Sequence, residues 1–319
     1  MDKLLAMTVF SRVVEFGSFV RAADKMGLST TAVSRHLNDL EEHLGTRLLQ
    51  RTTRKLHLTE AGSQYHQRIQ HILEDISDAE SSLVQDNQQP TGCLRLSVSI
   101  PFSTRHLAPL IPRFCAMYPG LNVEILASDR KLDLIEDGLD LVLRISRELD
   151  GSLVARRLAT IHTIISASPE YLARAGVPQT PADLVNHSCL VYTGVPEPMQ
   201  WQFYCEEGEL HMVNVKGALC ADNGDILLAA AQQGMGITRQ PSFMVGESIA
   251  TGRLVPLLTE YRMPTLTLSA LFPSRRFLPA KVRKMVDFLV AEWGGVVPPW
   301  DAWMMDLGHH GGWEPPPQK

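Results

Sequence analysis

What the chain lacks narrows its class at once. No apolar run approaches the roughly 20 residues that cross a bilayer; the longest notable one, Ile226 to Ala231, is six residues, and no membrane partner is expected. Met1-Asp2-Lys3, followed by a short apolar stretch broken at Ser11-Arg12, does not have the form of a secretory signal. The five cysteines (Cys93, Cys115, Cys189, Cys205 and Cys220) are odd in number and show no C-x-x-C spacing. They suit a reducing compartment, where Cys mostly acts as a small core residue, so the chain is expected in the cytoplasm. Catalytic signatures are missing as well: there is no G-x-S-x-G elbow, no H-E-x-x-H and no G-x-x-x-x-G-K-S/T loop. Gly234-Met235-Gly236 lacks the third glycine of a dinucleotide fingerprint. The only adjacent histidines, His309-His310, sit in a Gly-rich tail. Neither an enzyme, a metal site nor a cofactor is expected.

What is present is a chain of 319 residues, long enough for two or three compact units, with 45% hydrophobic and 20% charged residues. Its net charge of -5 is unevenly spread. Residues 1–61 carry nine Lys or Arg against seven acids, leaving 21 against 28 for the remainder. A small basic module on an acidic body fits a DNA reader joined to something that does not touch DNA.

Within that module, Leu4 to Val14 forms a backing helix, and Phe19, Ala22, Ala23 and Met26 mark the buried stripe of a short helix that Gly27 ends in a tight turn. Ser29 is placed to cap a further helix in which Val33, Leu37, Leu40 and Leu44 share a buried face. Thr30, Thr31, Ser34, Arg35 and Asn38 then face outward, the hydroxyl, guanidinium and amide groups that a recognition helix brings to base edges and phosphates. A plain helical hairpin with a solvated face is the competing explanation. Against it, Arg47, Arg51, Arg54 and Lys55 follow closely, interleaved with Leu48, Leu49, Leu56 and Leu58. That spacing predicts a two-stranded wing gripping phosphate or minor groove.

Phe10, Glu15, Gly17-Ser18-Phe19, Ala22-Ala23, Val33-Ser34, Leu40-Glu41, Leu44-Gly45, Arg51 and Thr59-Glu60-Ala61-Gly62 together resemble the N-terminal signature of the LysR-type transcriptional regulators. The resemblance covers about the first 62 residues. It departs at Leu48-Leu49, where that family commonly has Leu-Phe, an exchange of large apolar side chains that leaves the chemistry unaltered.

Beyond the wing, Tyr65, Ile69, Ile72, Ile76, Ala79 and Leu83 recur at spacings of four and three, a heptad seam. With no nearby sequence to cover it, the seam predicts a dimerising coiled coil rather than a helix packed on its own domain. A homodimer through this linker helix, with a homotetramer left open, would face a two-fold symmetric, pseudo-palindromic operator on double-stranded DNA. Gln85 to Gly92 is a polar hinge. Strands are then expected at Cys93–Ser99, Leu121–Ala127, Leu139–Arg144, Ile161–Ala167, Cys189–Tyr192, Trp201–Cys205, Met212–Val215 and Thr265–Phe272. Helices are expected at 105–118, 131–137, 169–175, 181–185, 225–233 and 279–291. The alternation implies an open α/β architecture with parallel pairing.

The organisation expected is therefore a winged helix-turn-helix DNA-binding domain (1–61), a coiled-coil linker helix and hinge (62–91) and an effector-binding domain (92–292). The last stretch, 293–319, mixes Gly-Gly, Pro-Pro and aromatics and predicts a mostly disordered extension. The resemblance implies that the effector domain is two-subdomain and periplasmic-binding-protein-like, with subdomain I at about 92–162 and 265–292, subdomain II at about 163–264, and a ligand cleft between them.

In open α/β sheets ligands sit beyond the carboxyl ends of strands. Ser99-Ile100-Pro101-Phe102-Ser103-Thr104 stands there, where amides and the hydroxyls of Ser103 and Thr104 would hold a carboxylate; a plain helix cap is the alternative. By position within the resemblance, Asp129, Arg144, Thr193, Asn223, Gly236 and Ile237 are further effector-cleft candidates. Arg144 pairing with Asp133 or Asp140, and Gly236 serving only a turn, are the competing explanations. The function expected is a sequence-specific DNA-binding regulator controlled by a small-molecule effector, a small anionic metabolite. The rival is a cytoplasmic solute-binding protein or α/β enzyme with an N-terminal assembly module.

Overall fold

The structure, a computed structural model, describes residues 1–51, 56–83, 89–130, 132–134, 136–147, 154–273 and 278–306. It divides into two compact units, residues 1–92 and 93–319. The first begins with α1 (Lys3–Phe16), α2 (Phe19–Met26) and α3 (Thr30–Leu44). Each is started by a side chain that accepts a free backbone N–H: Asp2 from Leu5, Ser18 from Arg21, and Ser29 from Ala32 at 3.1 Å. Gly17, Gly27 and Gly45 end the three helices at φ +60° to +65°, which only glycine adopts without strain.

Ala6, Phe10, Val13, Ala22, Val33, Leu37 and Leu40 are fully buried together. Leu44, expected on that face, is 36% exposed because the helix ends there. The wing is a short antiparallel ribbon, β1 (Leu49–Arg51) on β2 (Leu56–Leu58). α4 (Glu60–Leu83) follows. Thr59 starts it, with its hydroxyl donating to the Arg47 carbonyl at 2.7 Å and accepting the Gly62 N–H at 2.8 Å. A Cβ on Gly62 would collide with the Leu48 carbonyl, so the Thr-Glu-Ala-Gly signature is the footprint of a helix pressed against the wing backbone.

The seam of α4 is only partly free. Ile69 has no exposure and belongs with Tyr65 to the core of its own domain, Tyr65 lying 6.0 Å from the Phe10 ring. Those two positions therefore have a partner that the sequence did not offer locally. Ile72 is 45% exposed and Ile76 half-buried.

The second unit holds two five-stranded sheets. Chain order runs β3 (Gly92–Val98), α5 (Ile100–Phe102) continuing through a wide turn at Ser103–Leu107, α6 (Ile111–Met117), β4 (Leu121–Ala127), β5 (Leu141–Ser146) and β6 (Val154–Ile161). It continues with β7 (Thr163–Ala167), α7 (Pro169–Ala175), β8 (Cys189–Tyr192), β9 (Gln200–Tyr204), β10 (Leu210–Asn214), β11 (Cys220–Ala221), α8 (Gly224–Gln232), β12 (Ile237–Pro241), α9 (Ser242–Ala250) and β13 (Val255–Leu257). β14 (Leu266–Phe272), α10 (Ala280–Trp293) and α11 (Ala302–Asp306) complete it. One sheet is ordered β4-β3-β5-β14-β6 and the other β11-β8-β12-β7-β13, with β9 and β10 as a separate hairpin. The chain passes between the sheets twice, from β6 to β7 and back from β13 to β14, so two subdomains are joined by crossing connections.

Several expectations are corrected. The sheets are mixed, since β14 runs antiparallel to β5 and β6, and β7 antiparallel to β12 and β13; the returning strands reverse direction because they follow no crossover helix. β6 and α9 were not anticipated. No helix forms among the described residues of 131–137, where the Asp133 carboxylate accepts the Glu136 N–H and Asp137 that of Asp133, closing turns instead. Residues 299–306 are not a disordered extension. Pro299–Asp301 forms a 3-10 turn leading into α11, and Trp300, Asp301 and Met304 are buried, because the tail's apolar side chains find the subdomain cores. His309 and His310 lie outside the described residues.

Candidate nucleic-acid interface and effector cleft

On α3 the first two turns face outward. Thr30, Thr31, Arg35 and Asn38 are exposed and Ser34 half-buried, while Val33 and Leu37 between them are fully buried. This is the presentation by which a helix reads a major groove. Arg51 closes β1 opposite Leu56; Arg54 and Lys55 lie outside the described residues.

A residue the sequence did not single out couples these surfaces. Glu41, on the inner face of α3 and 7% exposed, accepts the N–H groups of Leu48 at 2.7 Å and Leu49 at 3.1 Å through one carboxylate oxygen. It fixes where the wing leaves the recognition helix. The signal was an acid at a buried helical position, Leu40-Glu41, beside a basic strand.

Contacts run between the two subdomains. The first contributes Ser99 to Arg105, Asp129 and Arg147; the second Tyr192, Asp225, Arg239 and Phe243, with Gln202 on the separate β9–β10 hairpin. Bridges between them are direct: Arg105 pairs with Asp225 at the start of α8, His106 Nε2 lies 3.1 Å from the Phe243 carbonyl, and Arg147 donates to Gln202 at 3.2 Å. Burial and, after it, the charges of Asp129 and Asp222 push the Tyr192 phenol up.

The segment Ser99–Thr104 is a helix start rather than an open nest. The Asp129 carboxylate already accepts the Ile100 N–H at 3.0 Å, and Ser103 and Thr104 donate their hydroxyls to the Ile100 carbonyl. An incoming carboxylate would meet Asp129, a like charge. Ser99 is half-buried and Thr104 exposed, but Phe102 has no exposure. It is packed edge-on beneath Phe243, Trp293 and Trp300, with ring centres 5.1–5.3 Å apart.

The other candidates divide. Thr193 is exposed at the end of β8. Asn223 caps α8, its side-chain oxygen accepting the Asp225 and Ile226 N–H groups. Arg144 pairs with neither Asp133 nor Asp140 through any bond described, but donates to the Leu132 carbonyl at 3.2 Å. Gly236 is buried where a Cβ would strike the Ser188 carbonyl, and Ile237 is fully buried in the core of its subdomain. Close packing of β12 on β8 accounts for the burial of those two.

Two arginines that sequence reasoning passed over, Arg147 and Arg239, also lack a carboxylate partner among the described residues. Arg239 of β12 stacks its guanidinium 5.3 Å from the centre of the buried Trp201 ring. Burial and, secondly, the charge of Arg147 lower it from 12.5 to about 10. Nothing in the sequence brings positions 147 and 239 together, since one follows β5 of the first sheet and the other lies in β12 of the second.

Comparison with known proteins settles the kinship. Residues 4–63 match the family model of bacterial regulatory helix-turn-helix proteins of the lysR family, and residues 87–294 match the LysR substrate binding domain. The chain belongs to the LysR family of transcriptional regulators. It is 40% identical over 282 residues to an uncharacterized HTH-type transcriptional regulator of Haemophilus influenzae, covering 88% of this chain and 98% of that protein. To the HTH-type transcriptional regulator CrgA of Neisseria meningitidis it is 37% identical, covering 90% and 96%. The solved CrgA structure aligns with a TM-score of 0.58 at 36% identity over 90% of this chain and 97% of that one. Full-length AphB, the Vibrio cholerae virulence activator, aligns at 0.56 with 28% identity, over 91% and 99%.

As a LysR-type regulator the chain is a DNA-binding transcription factor modulated through its α/β effector-binding domain, not an enzyme. Among the described residues no helix is long and apolar enough to cross a membrane. Of the cysteines, only Cys189 is buried, its thiol pushed up to about 12 by burial; Cys220 is exposed and the other three are intermediate.

Proposed function

We propose that this LysR-type regulator reads a pseudo-palindromic duplex operator as a cytoplasmic homodimer paired through α4, and that a small anionic metabolite held by Arg147 and Arg239 sets its activity. The observation that carries the effector half is the pair of arginines from opposite cleft walls with no carboxylate beside them among the described residues. A desolvated guanidinium without a counter-charge is costly, and an anion placed between the two relieves it. The exposed Ile72 and half-buried Ile76, beyond the point where Ile69 is taken by its own domain, support pairing through α4. A homotetramer would be two such dimers.

On the DNA side, Thr30, Thr31, Ser34, Arg35 and Asn38 would face bases and Arg51, with Arg54 and Lys55, phosphate or minor groove. The test is salt-dependent binding of the full-length protein to operator and random duplexes. Arg51→Ala should weaken both alike and reduce the salt slope by about one, whereas Arg35→Ala relaxes preference at particular base pairs. Equal losses on both duplexes for both variants would refute this division.

A further inference from the structure

The β9–β10 hairpin carries a second group of ligating side chains. Leu210 stands opposite Tyr204 and His211 opposite Phe203, which brings Cys205 beside Glu209: the Cys205 N–H donates to the Glu209 carbonyl at 3.1 Å. The intervening Glu206-Glu207-Gly208 is closed by the Gly208 N–H on the Cys205 carbonyl at 3.0 Å, with Gly208 at φ +82°. This is the three-residue hairpin loop that requires glycine in the left-handed region.

Strand alternation then sets Cys205, Glu209 and His211 on one face. Their sulfur, carboxylate oxygen and imidazole nitrogen all lie within 4.8 Å of one another. The His211 ring stands edge-on to Tyr261 at 6.2 Å, and Tyr261 is itself edge-on to the buried Phe203 at 6.5 Å, so the imidazole is braced from behind.

Thiolate, imidazole and carboxylate together favour zinc over magnesium or calcium, which take all-oxygen shells. With Zn–S near 2.3 Å and Zn–N near 2.0 Å, donors in a tetrahedral shell stand about 3.5 Å apart. From at most 4.8 Å the donors have roughly an ångström to close to reach that spacing. We propose that Cys205, Glu209 and His211 form a Zn2+ site, with water completing the tetrahedral shell. Binding releases the Cys205 thiol proton to solvent and leaves the thiolate on the metal. The same hairpin carries Trp201 and Gln202, the contacts of Arg239 and Arg147, so the metal would brace one wall of the cleft from its far end.

The experiment uses full-length, metal-free protein titrated with Co2+. One equivalent should produce a near-ultraviolet thiolate-to-cobalt band and visible bands of tetrahedral intensity, both displaced by Zn2+. Cys205→Ser should abolish the thiolate band; His211→Ala and Glu209→Gln should each weaken Co2+ binding about tenfold or more, as even outer-shell changes commonly do; Cys220→Ser should leave the band unchanged. A wild-type protein without the band overturns the proposal, as does a band that survives in Cys205→Ser or disappears in Cys220→Ser.

Discussion

Replacing Glu41 by alanine tests whether the recognition helix and the wing act as one unit. The carboxylate is 7% exposed and holds two backbone N–H groups, those of Leu48 and Leu49, at 2.7 and 3.1 Å. Hydrogen bonds to a charged acceptor contribute about 1.5–3 kcal/mol each. Arg47, 4.0 Å away with a side chain 73% exposed, adds little. Taking the lower end for both bonds, Glu41→Ala should cost about 3 kcal/mol locally. Amide exchange at Leu48 and Leu49, followed by NMR or mass spectrometry on the full-length protein, should then accelerate by about two orders of magnitude. Glu41→Gln keeps an oxygen acceptor and should cost only about 1 kcal/mol. Because Arg51 lies two residues beyond Leu49, the alanine variant should also lose affinity on every duplex alike. Exchange at both amides that rises by less than about threefold in Glu41→Ala would refute the claim that this carboxylate anchors the wing.

Three further outcomes follow from the effector domain. Arg239→Met should raise the thermal midpoint of the ligand-free protein while abolishing the stabilisation given by small carboxylates; a merely structural Arg239 would lower the midpoint instead. His106, enclosed by Phe102, Phe243 and Trp300, is held below the ordinary imidazole value of 6.5, chiefly by burial. The unfolded chain therefore takes up the proton first. Stability should be complete above about pH 6.5 and fall by up to 1.4 kcal/mol per pH unit below it, and denaturant midpoints across pH 5–8 should lose this component in His106→Gln. Trp300→Ala removes a buried indole packed on Phe102 and Trp293 and should cost about 3–5 kcal/mol, read as a lower chemical-denaturation midpoint; an unchanged midpoint would mean that the tail docks without stabilising.

The DNA-binding half was largely legible because its rules are local. Ser29 before an apolar stripe, Gly27 and Gly45 at helix ends, and alternating Leu around basic residues each act within a few positions, and the family signature rests on the same residues. Between the subdomains, positions were legible but bonding partners were not. Ser99 to Thr104 does follow the first strand of the domain, yet Asp129, 29 residues away, occupies the amide that an anion would need. Arg147 and Arg239 are brought near one another by a chain that leaves one sheet and enters another, which no spacing encodes. Gly236 and Ile237 are buried by the pairing of β12 with β8, a contact that position alone does not foretell. The tail misled because Pro, Gly and Trp predict disorder only where the aromatics have nowhere to pack; Trp300 found Phe102, and Asp301 found His162 Nδ1 at 2.9 Å.

That last contact bears on how a ligand could move the domain. His162 is the single residue between β6 and β7, on one of the two crossings that join the sheets, and the buried Asp301 ties the tail to it. Across the cleft, Arg105 with Asp225 and Phe102 with Phe243 favour closure whether or not an effector is present. In the proposed reading Arg147 and Arg239 oppose it. The fall of Arg239 from 12.5 to about 10 comes first from burial beside Trp201, within its own subdomain, and second from the charge of Arg147, so only the second part can change with closure. An anion shared by the two guanidiniums would turn that part into an attraction. A tenfold shift of an open-to-closed ratio needs about 1.4 kcal/mol of differential affinity. Such a shift needs no contact from the Ser99 helix start, so loss of effector response is to be sought first at the arginine pair.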